Sequence, residues 1–388
     1  MALRLITAGE SHGPGLTCLV EGLPAGLELD RALIDRDLAR RQLGHGRGGR
    51  MKIETDAAEV TSGVRHGLTL GSPVALRVIN RDYANWEERM NPWPVEADVP
   101  EVHLPRPGHA DLVGTQKYGF SDVRNVLERA SARETAARVA GGALARAFLR
   151  ALGVQVFSHV IQITSVRAPV REPLSPADFA EVDASPVRSL DPEASAAMVQ
   201  EINVLRKRNE SLGGVFEVRA FGLVPGLGSH VSWEERLDGL LGQAILSIQA
   251  MKAVGIGDGF DLAGVPGSEA HDEIFWSGER GYFRETNRSG GVEGGMTTGE
   301  PLIVRAAMKP LPTLTKPLRS VDIATKEPAQ ALRERTDSAT IPAAGVVGEA
   351  MVALVLADAY RRKFGGDHID DVKTSVAAYR ERIGWPER

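Results

Sequence analysis

Cysteine is almost absent from this chain of 388 residues. Cys18 is the only one, which excludes an internal disulfide and any zinc site built on cysteines and points to a reducing compartment, the cytoplasm. Aromatic residues make up only 5%, and the formal net charge is -5, a poor combination for general nucleic-acid binding. Long apolar runs are missing too. The stretch from Ala350 to Ala357 is bounded by Glu349 and Asp358 and is too short to span a bilayer, so no membrane partner is expected. The opening Met-Ala-Leu-Arg-Leu-Ile-Thr meets Gly9 and Glu10 before a leader-like apolar run can form, so no signal peptide is expected. There is no Walker A sequence, and Gly255 to Phe260 does not follow the G-x-G-x-x-G pattern into a helix. No histidine pair has ligand spacing on a helix, so no metal is expected.

What is present is an ordinary globular composition, 43% hydrophobic and 25% charged, enough for a sizeable core. Most of the positive charge is arginine, whose planar fork suits carboxylates and phosphates. Without a strict repeat or a low-complexity linker, one interwoven domain over residues 1–388 is expected. Ser131 followed by Glu134 predicts a capping box and a helix with Ala136, Val139, Ala140, Ala143, Leu144, Ala147 and Phe148 on one face. Arg129 and Arg133 flank its first turn, where exposed N–H groups and the dipole favour an anion. A second small-residue helix is expected after Arg335-Thr336-Asp337-Ser338, with Pro342 in its first turn. Further helices are expected over 31–43, 192–209 and 234–249, and strands over 3–7, 16–20, 53–80, 154–166, 215–223 and 301–307.

His12 lies in a glycine-rich loop between two strands, and His109 follows the turn formed by Pro107 and Gly108. Either could be a general acid, with Glu10, Asp111 and Asp337 as candidate carboxylates; either could equally be a solvated or locally satisfied histidine. Arg40 to Lys52 is a basic, glycine-loosened segment, readable as a lid over an anion or as a plain turn. Four glycine-rich loops, two arginine-flanked helix starts and two turn-borne histidines together point to a site for a small polyanion.

In these segments the chain resembles the chorismate synthase family: Gly9-Glu10-Ser11-His12-Gly13, Arg106 to Asp111, Arg129 to Thr135, Gly255 to Phe260 and Arg335-Thr336-Asp337 match its motifs in order, over essentially the whole length. The resemblance implies an α+β fold, a β-α-β sandwich with central helices between antiparallel sheets, assembled as a homotetramer. It also implies loss of phosphate from 5-enolpyruvylshikimate 3-phosphate by a redox-neutral anti-1,4-elimination requiring reduced FMN, from a separate flavin reductase or other source. By resemblance His12 protonates the departing phosphate, His109 supports the reduced anionic flavin, and Asp337 helps flavin N5 take the C6 proton. Arg41, Arg47, Arg133 and Arg335 join His12 in binding substrate. The flavin contacts are Arg41, Arg47, Arg129, Ala130, Ser131, Gln249, Ala250, Gly294, Lys309, Pro310, Leu311, Pro312, Thr313 and Arg335. Ala130 and Gln249 depart from the family's usual residues, so backbone contacts are implied there, and His45 is assigned nothing.

Two rival readings have their own discriminators. An NADPH-dependent FMN oxidoreductase would turn over with oxidised flavin and NADPH, although no inserted segment for that activity is visible. A nucleic-acid-binding module using Arg40 to Lys52 would show salt-dependent DNA binding.

Overall fold

The computed structural model describes residues 2–48, 55–169, 171–334 and 337–386. Near the N-terminus, β1 (Arg4–Ala8), β2 (Gly15–Glu21), β3 (Ala58–Ser62) and β4 (Val74–Ile79) form an antiparallel sheet in the order β1-β2-β4-β3. Alternation decides which face is covered: Leu16, Cys18 and Val20 on β2, and Val74, Leu76 and Val78 on β4, are all buried. Burial pushes the Cys18 thiol up to about 12, so this cysteine packs as a small hydrophobe. A second antiparallel sheet runs β8-β9-β7-β5-β6, from β5 (Gln155–Ile163), β6 (Val166–Arg167), β7 (Gly214–Phe221), β8 (Met251–Ile256) and β9 (Leu302–Met308).

Two long helices, Thr135–Ala151 and Ile341–Phe364, fill the space between the sheets, and the others pack around them. Their ranges are α1 (Arg31–Gln42), α2 (Asp111–Tyr118), α3 (Arg124–Ala130), α4 (Thr135–Ala151), α5 (Pro192–Lys207), α6 (Leu237–Leu246), α7 (Ile341–Phe364) and α8 (Ile369–Arg382). Helix α4 packs on the first sheet, α7 on the second, and the two helices pack on each other. Small residues set their spacing. A Cβ built on Gly142 of α4 would lie 2.3 Å from the Ala350 Cβ on α7, and one on Gly348 would lie 2.6 Å from Phe216 Cε2 on β7. By length and composition α7 could cross a membrane, but 83% of its apolar window is buried inside the fold, as befits a core helix. The expected sandwich of central helices between antiparallel sheets is what the chain forms.

Several expected boundaries move. Asp30 caps α1 as its sequence suggests, accepting from the Ala32 N–H at 2.8 Å. The helix expected to open at Ser131 instead opens with a 3-10 turn, Ala132–Glu134, before α4 begins at Thr135. Ser131 accepts from the Arg133 N–H at 3.3 Å, but Glu134 does not complete a capping box. Its carboxylate turns to Thr7 Oγ1 at 2.6 Å and to Arg138 Nε at 2.8 Å, partners stronger than a backbone N–H. The helix expected over 234–249 is confined to α6, with a 3-10 turn, Trp233–Glu235, ahead of it.

Candidate active site

The β1–β2 loop that carries His12 is clamped from outside. The Asn80 side-chain amide donates to Glu10 O at 3.1 Å and Gly13 O at 2.8 Å. Within that frame, His12 faces the end of α3. Its Nδ1 lies 2.9 Å from Glu128 Oε2 and 3.1 Å from Oε1, and its backbone N–H donates to Oε2 at 2.9 Å. Arg124, one turn earlier on α3, donates to Glu128 Oε1 at 2.7 Å. The His12 ring stacks on Trp86 with centroids 4.0 Å apart, and the Arg124 guanidinium lies 5.0 Å from the same indole. Glu128 is only 2% exposed. Burial opposes its charge, but the His12 hydrogen bond and the neighbouring cations outweigh that and hold its carboxyl below the usual carboxylate range.

His109 is braced in the same style. The turn closes with the His109 N–H donating to Arg106 O at 3.3 Å, and His109 Nδ1 lies 2.5 Å from Asp111 Oδ1. Asp111 is fully buried and also accepts from Arg106 N at 3.0 Å and Nε at 2.8 Å. Although burial disfavours its charge, these contacts hold Asp111 well below the usual range. Arg106 reaches Thr313 Oγ1 at 2.9 Å, and Glu334 lies 3.8 Å from both Arg106 and Arg124, so the two histidine braces adjoin.

A third group lies under the start of α4. Asp56 accepts from Arg133 NH1 at 2.6 and 2.8 Å and from Arg41 NH1 at 3.3 Å. Arg41 also donates to Thr135 Oγ1 at 2.9 Å and Ala132 O at 3.1 Å, and Arg133 donates to Asn80 Oδ1 at 2.9 Å. Burial first, and then the Arg133 and Arg47 cations, push Arg41 down to about 9, which leaves it charged at neutral pH. Arg47 pairs with Asp337 at 2.9 Å, and Asp337 accepts from the Gly48 N–H at 2.5 Å. The described part of the basic segment is thus docked, with the His45 N–H on Pro186 O and Ser338 N–H on Gly46 O. His45, assigned nothing from sequence, bonds Asn203 Oδ1 at 2.8 Å. Arg335 and residues 49–54 lie outside the described residues.

Besides Arg41 and Arg47 above, the expected flavin contacts that are described fall into three places, and Glu134 joins the first of them. Arg129, Glu134 and Gln249 line a cleft of about 480 Å³ whose apolar wall includes Leu3, Leu5 and Met351; neither His12 nor His109 lines it. Arg129 donates to Thr7 O at 2.9 Å and Gly9 O at 3.2 Å, Ala130 ends α3, and Ser131 Oγ donates to Ser11 Oγ at 3.2 Å. Gln249 donates to Glu134 at 3.2 Å while its own Oε1 is buried without a hydrogen-bond partner among the described residues. Ala250, at φ 67°, presents its carbonyl to the Lys309 N–H at 3.0 Å. Lys309 Nζ reaches Gly108 O at 2.5 Å, so the strip Lys309, Pro310, Leu311, Pro312, Thr313 runs from Ala250 to the His109 turn. Leu311 is pinned through its carbonyl by Ser211 Oγ at 2.7 Å. Gly294 stands apart at the tip of a short hairpin, Val292–Glu293 with Met296–Thr297, which packs on α6.

Sequence reasoning missed Glu128, Arg124, Trp86, Asp56 and Glu334. Only the Arg124–Glu128 spacing of four on a helix was a local signal; the others act across long sequence separations. Arg40, placed in the basic segment, is spoken for as well: it donates twice to the fully buried Glu349 at 2.8 Å, which weakens the nucleic-acid reading.

A two-sheet sandwich that brings two carboxylate-braced histidines close to several arginines is the framework of an enzyme with a small-molecule substrate. The family model for chorismate synthase matches residues 3–360. Chorismate synthases from Rubrobacter xylanophilus and Symbiobacterium thermophilum are each 56% identical, covering 100% and 98% of this chain and 99% of their own lengths. That from Acidothermus cellulolyticus is 54% identical over 98% of this chain and 99% of its own. A crystal structure of chorismate synthase superposes with a TM-score of 0.79 at 41% identity, covering 99% of this chain and 98% of that one. The chain belongs to the chorismate synthase family.

Proposed function

We infer that the chain makes chorismate by anti-1,4-elimination of phosphate from 5-enolpyruvylshikimate 3-phosphate, with no net redox change. The observation that carries this reading is the pair of carboxylate-braced histidines, His12 on Glu128 and His109 on Asp111, set among arginines. A phosphate leaves more readily when its developing charge is met by a proton, and His12 has Nε2 to give that proton while Nδ1 faces Glu128. Arg41, Arg47, Arg133 and Arg335 provide the positive field for the phosphate and two carboxylates of the substrate. Asp337, held by Arg47 and the Gly48 N–H, would help flavin N5 take the C6 proton.

The residues assigned to FMN fit such a group. Gln249 offers a buried acceptor without a partner among the described residues that suits an N–H-bearing ring, Lys309 and Arg129 offer cations, and Ala250 with the strip from Lys309 to Thr313 offers a stiff backbone edge. Reduced FMN, when bound, supplies electron density as the phosphate departs and recovers it afterwards. His109, fixed by Asp111 and Arg106, would set the hydrogen bonding and charge beside the ring.

The test is an anaerobic assay of phosphate release and chorismate absorbance with the substrate and chemically reduced FMN. Release only with reduced flavin is the expected result. Turnover with oxidised FMN plus NADPH would instead bring forward an intrinsic flavin reductase, and no release from folded, FMN-binding protein would favour the oxidoreductase reading. We also place the chain in the cytoplasm as one domain over 1–388, supplied with reduced flavin by a separate reductase and assembled as a homotetramer; light scattering should give four times the chain mass.

A further inference from the structure

We propose that Glu128 is a positioning residue of the elimination, holding His12 as its Nδ1–H tautomer and supporting its imidazolium so that Nε2–H meets the leaving phosphate. The proposal rests on the functional reading above but is argued from the local geometry. Three contacts tie His12 and its neighbour to this one helical position: Ser11 N–H to Glu128 O at 3.0 Å, His12 N–H to Oε2 at 2.9 Å, and His12 Nδ1 to the same carboxylate. With both backbone and ring fastened to one group, the ring cannot turn without breaking the brace. A carboxylate accepts only, so the proton between the groups belongs to Nδ1. That leaves Nε2 as the atom that gains and loses a proton.

Charged and aromatic groups surround His12. Glu128 faces it from α3, Glu10 stands in its own loop, and Trp86 gives it an electron-rich ring face at 4.0 Å. Arg124, also on α3, is the opposing charge; it contacts Glu128 and Trp86. His109 provides an internal contrast. Its carboxylate, Asp111, is bonded by Arg106, but Arg106 NH2 also lies 3.2 Å from His109 Nδ1 itself. The two histidine–carboxylate pairs thus differ in where their arginine sits: Arg106 contacts the ring of His109, whereas Arg124 contacts the carboxylate and the indole beside His12.

Two readouts test this. In the intact protein labelled with [15N]histidine, with His12 assigned through His12→Asn, the neutral ring should show Nδ1 protonated and Nε2 bare, and Glu128→Leu should move the proton to Nε2. In steady-state phosphate release, Glu128→Gln keeps the shape but removes the charge. It should lower kcat about tenfold or more with KM changed less than about threefold, and move the alkaline limb of the kcat profile to lower pH. Glu128→Asp should recover part of the loss. A wild-type His12 protonated at Nε2, or a Glu128→Gln pH profile that superimposes on wild type, would overturn the proposal; either decides the matter even if the leucine variant does not fold. The tautomer is read without substrate. A wild-type chain showing Nδ1–H but releasing no phosphate would uphold the brace and overturn the reaction instead.

Discussion

Asp56 shows how much of the site is decided by a residue that cannot touch a ligand. Its side chain is fully buried, and both Arg133 and Arg41 depend on it for charge compensation. Removing one partner from a buried ionic group leaves the other charges desolvated and uncompensated. Asp56→Asn should therefore cost about 3–5 kcal/mol in urea denaturation, several times the cost of substituting a surface carboxylate such as Asp35. The sequence shows why His109 could be read locally, since Asp111 is only two residues away. It shows equally why the partner of His12 could not, since Glu128 lies 116 positions on and becomes a neighbour only when α3 reaches the β1–β2 loop. Trp86 was hidden for a related reason: it lies in an irregular excursion with no periodicity to place it.

Elements were legible where periodicity and caps agreed. Helix α1, with Asp30 before it, and the alternating strands β2 and β4 follow their sequence patterns closely. Helices α2, α3 and α8 escaped the sequence reading. The first two span only eight and seven residues, too few for a helical stripe to stand out. The closeness of α4 and α7 can be tested directly. Within a helix, alanine is preferred to glycine by roughly 1 kcal/mol, so Gly142→Ala should help on propensity alone. Its new Cβ would sit 2.3 Å from Ala350 Cβ and 2.7 Å from Ala350 Cα, so the helices must separate. The steric term should win, lowering stability by about 1–3 kcal/mol in thermal melts. Gly239→Ala on α6, where the added Cβ meets nothing within 4 Å, should instead raise stability by about 0.4–1 kcal/mol.

At the scale of the molecule, one carboxylate joins several elements. Glu349 of α7 accepts from Arg40 of α1 and from Ser158 Oγ of β5 at 2.7 Å, with Arg146 of α4 at 3.2 Å and Arg188 at 3.1 Å. Burial raises its carboxyl, but the arginines more than reverse this and hold it down at about 2, against an ordinary 4.5. A carboxyl depressed on folding contributes stability that is present above about pH 4.5 and is lost as the pH falls towards 2. Thermal melts across that window should therefore fall more steeply for wild type than for Glu349→Gln, which should already be less stable at neutral pH. The sandwich as a whole was legible through the family motifs. The buried ionic hub was not, because its members are scattered from Asp37 to Glu349 and each looks like an ordinary surface charge in its own segment.

The position of α7 also bears on how the protein is made. Both sheets are complete in sequence by Met308, yet the helix that packs on the second of them and against α4 spans Ile341–Phe364, and the Leu3 N–H near the start of the chain donates to Asp358 on that helix at 2.8 Å. During synthesis α4 follows the first sheet, but the strands of the second sheet leave the ribosome before α7, so the nascent chain carries that sheet's apolar face uncovered until α7 is made. The second sheet gains its cover only once Ile341–Phe364 has been made, so a ribosome that stalls before this helix leaves that sheet face bare.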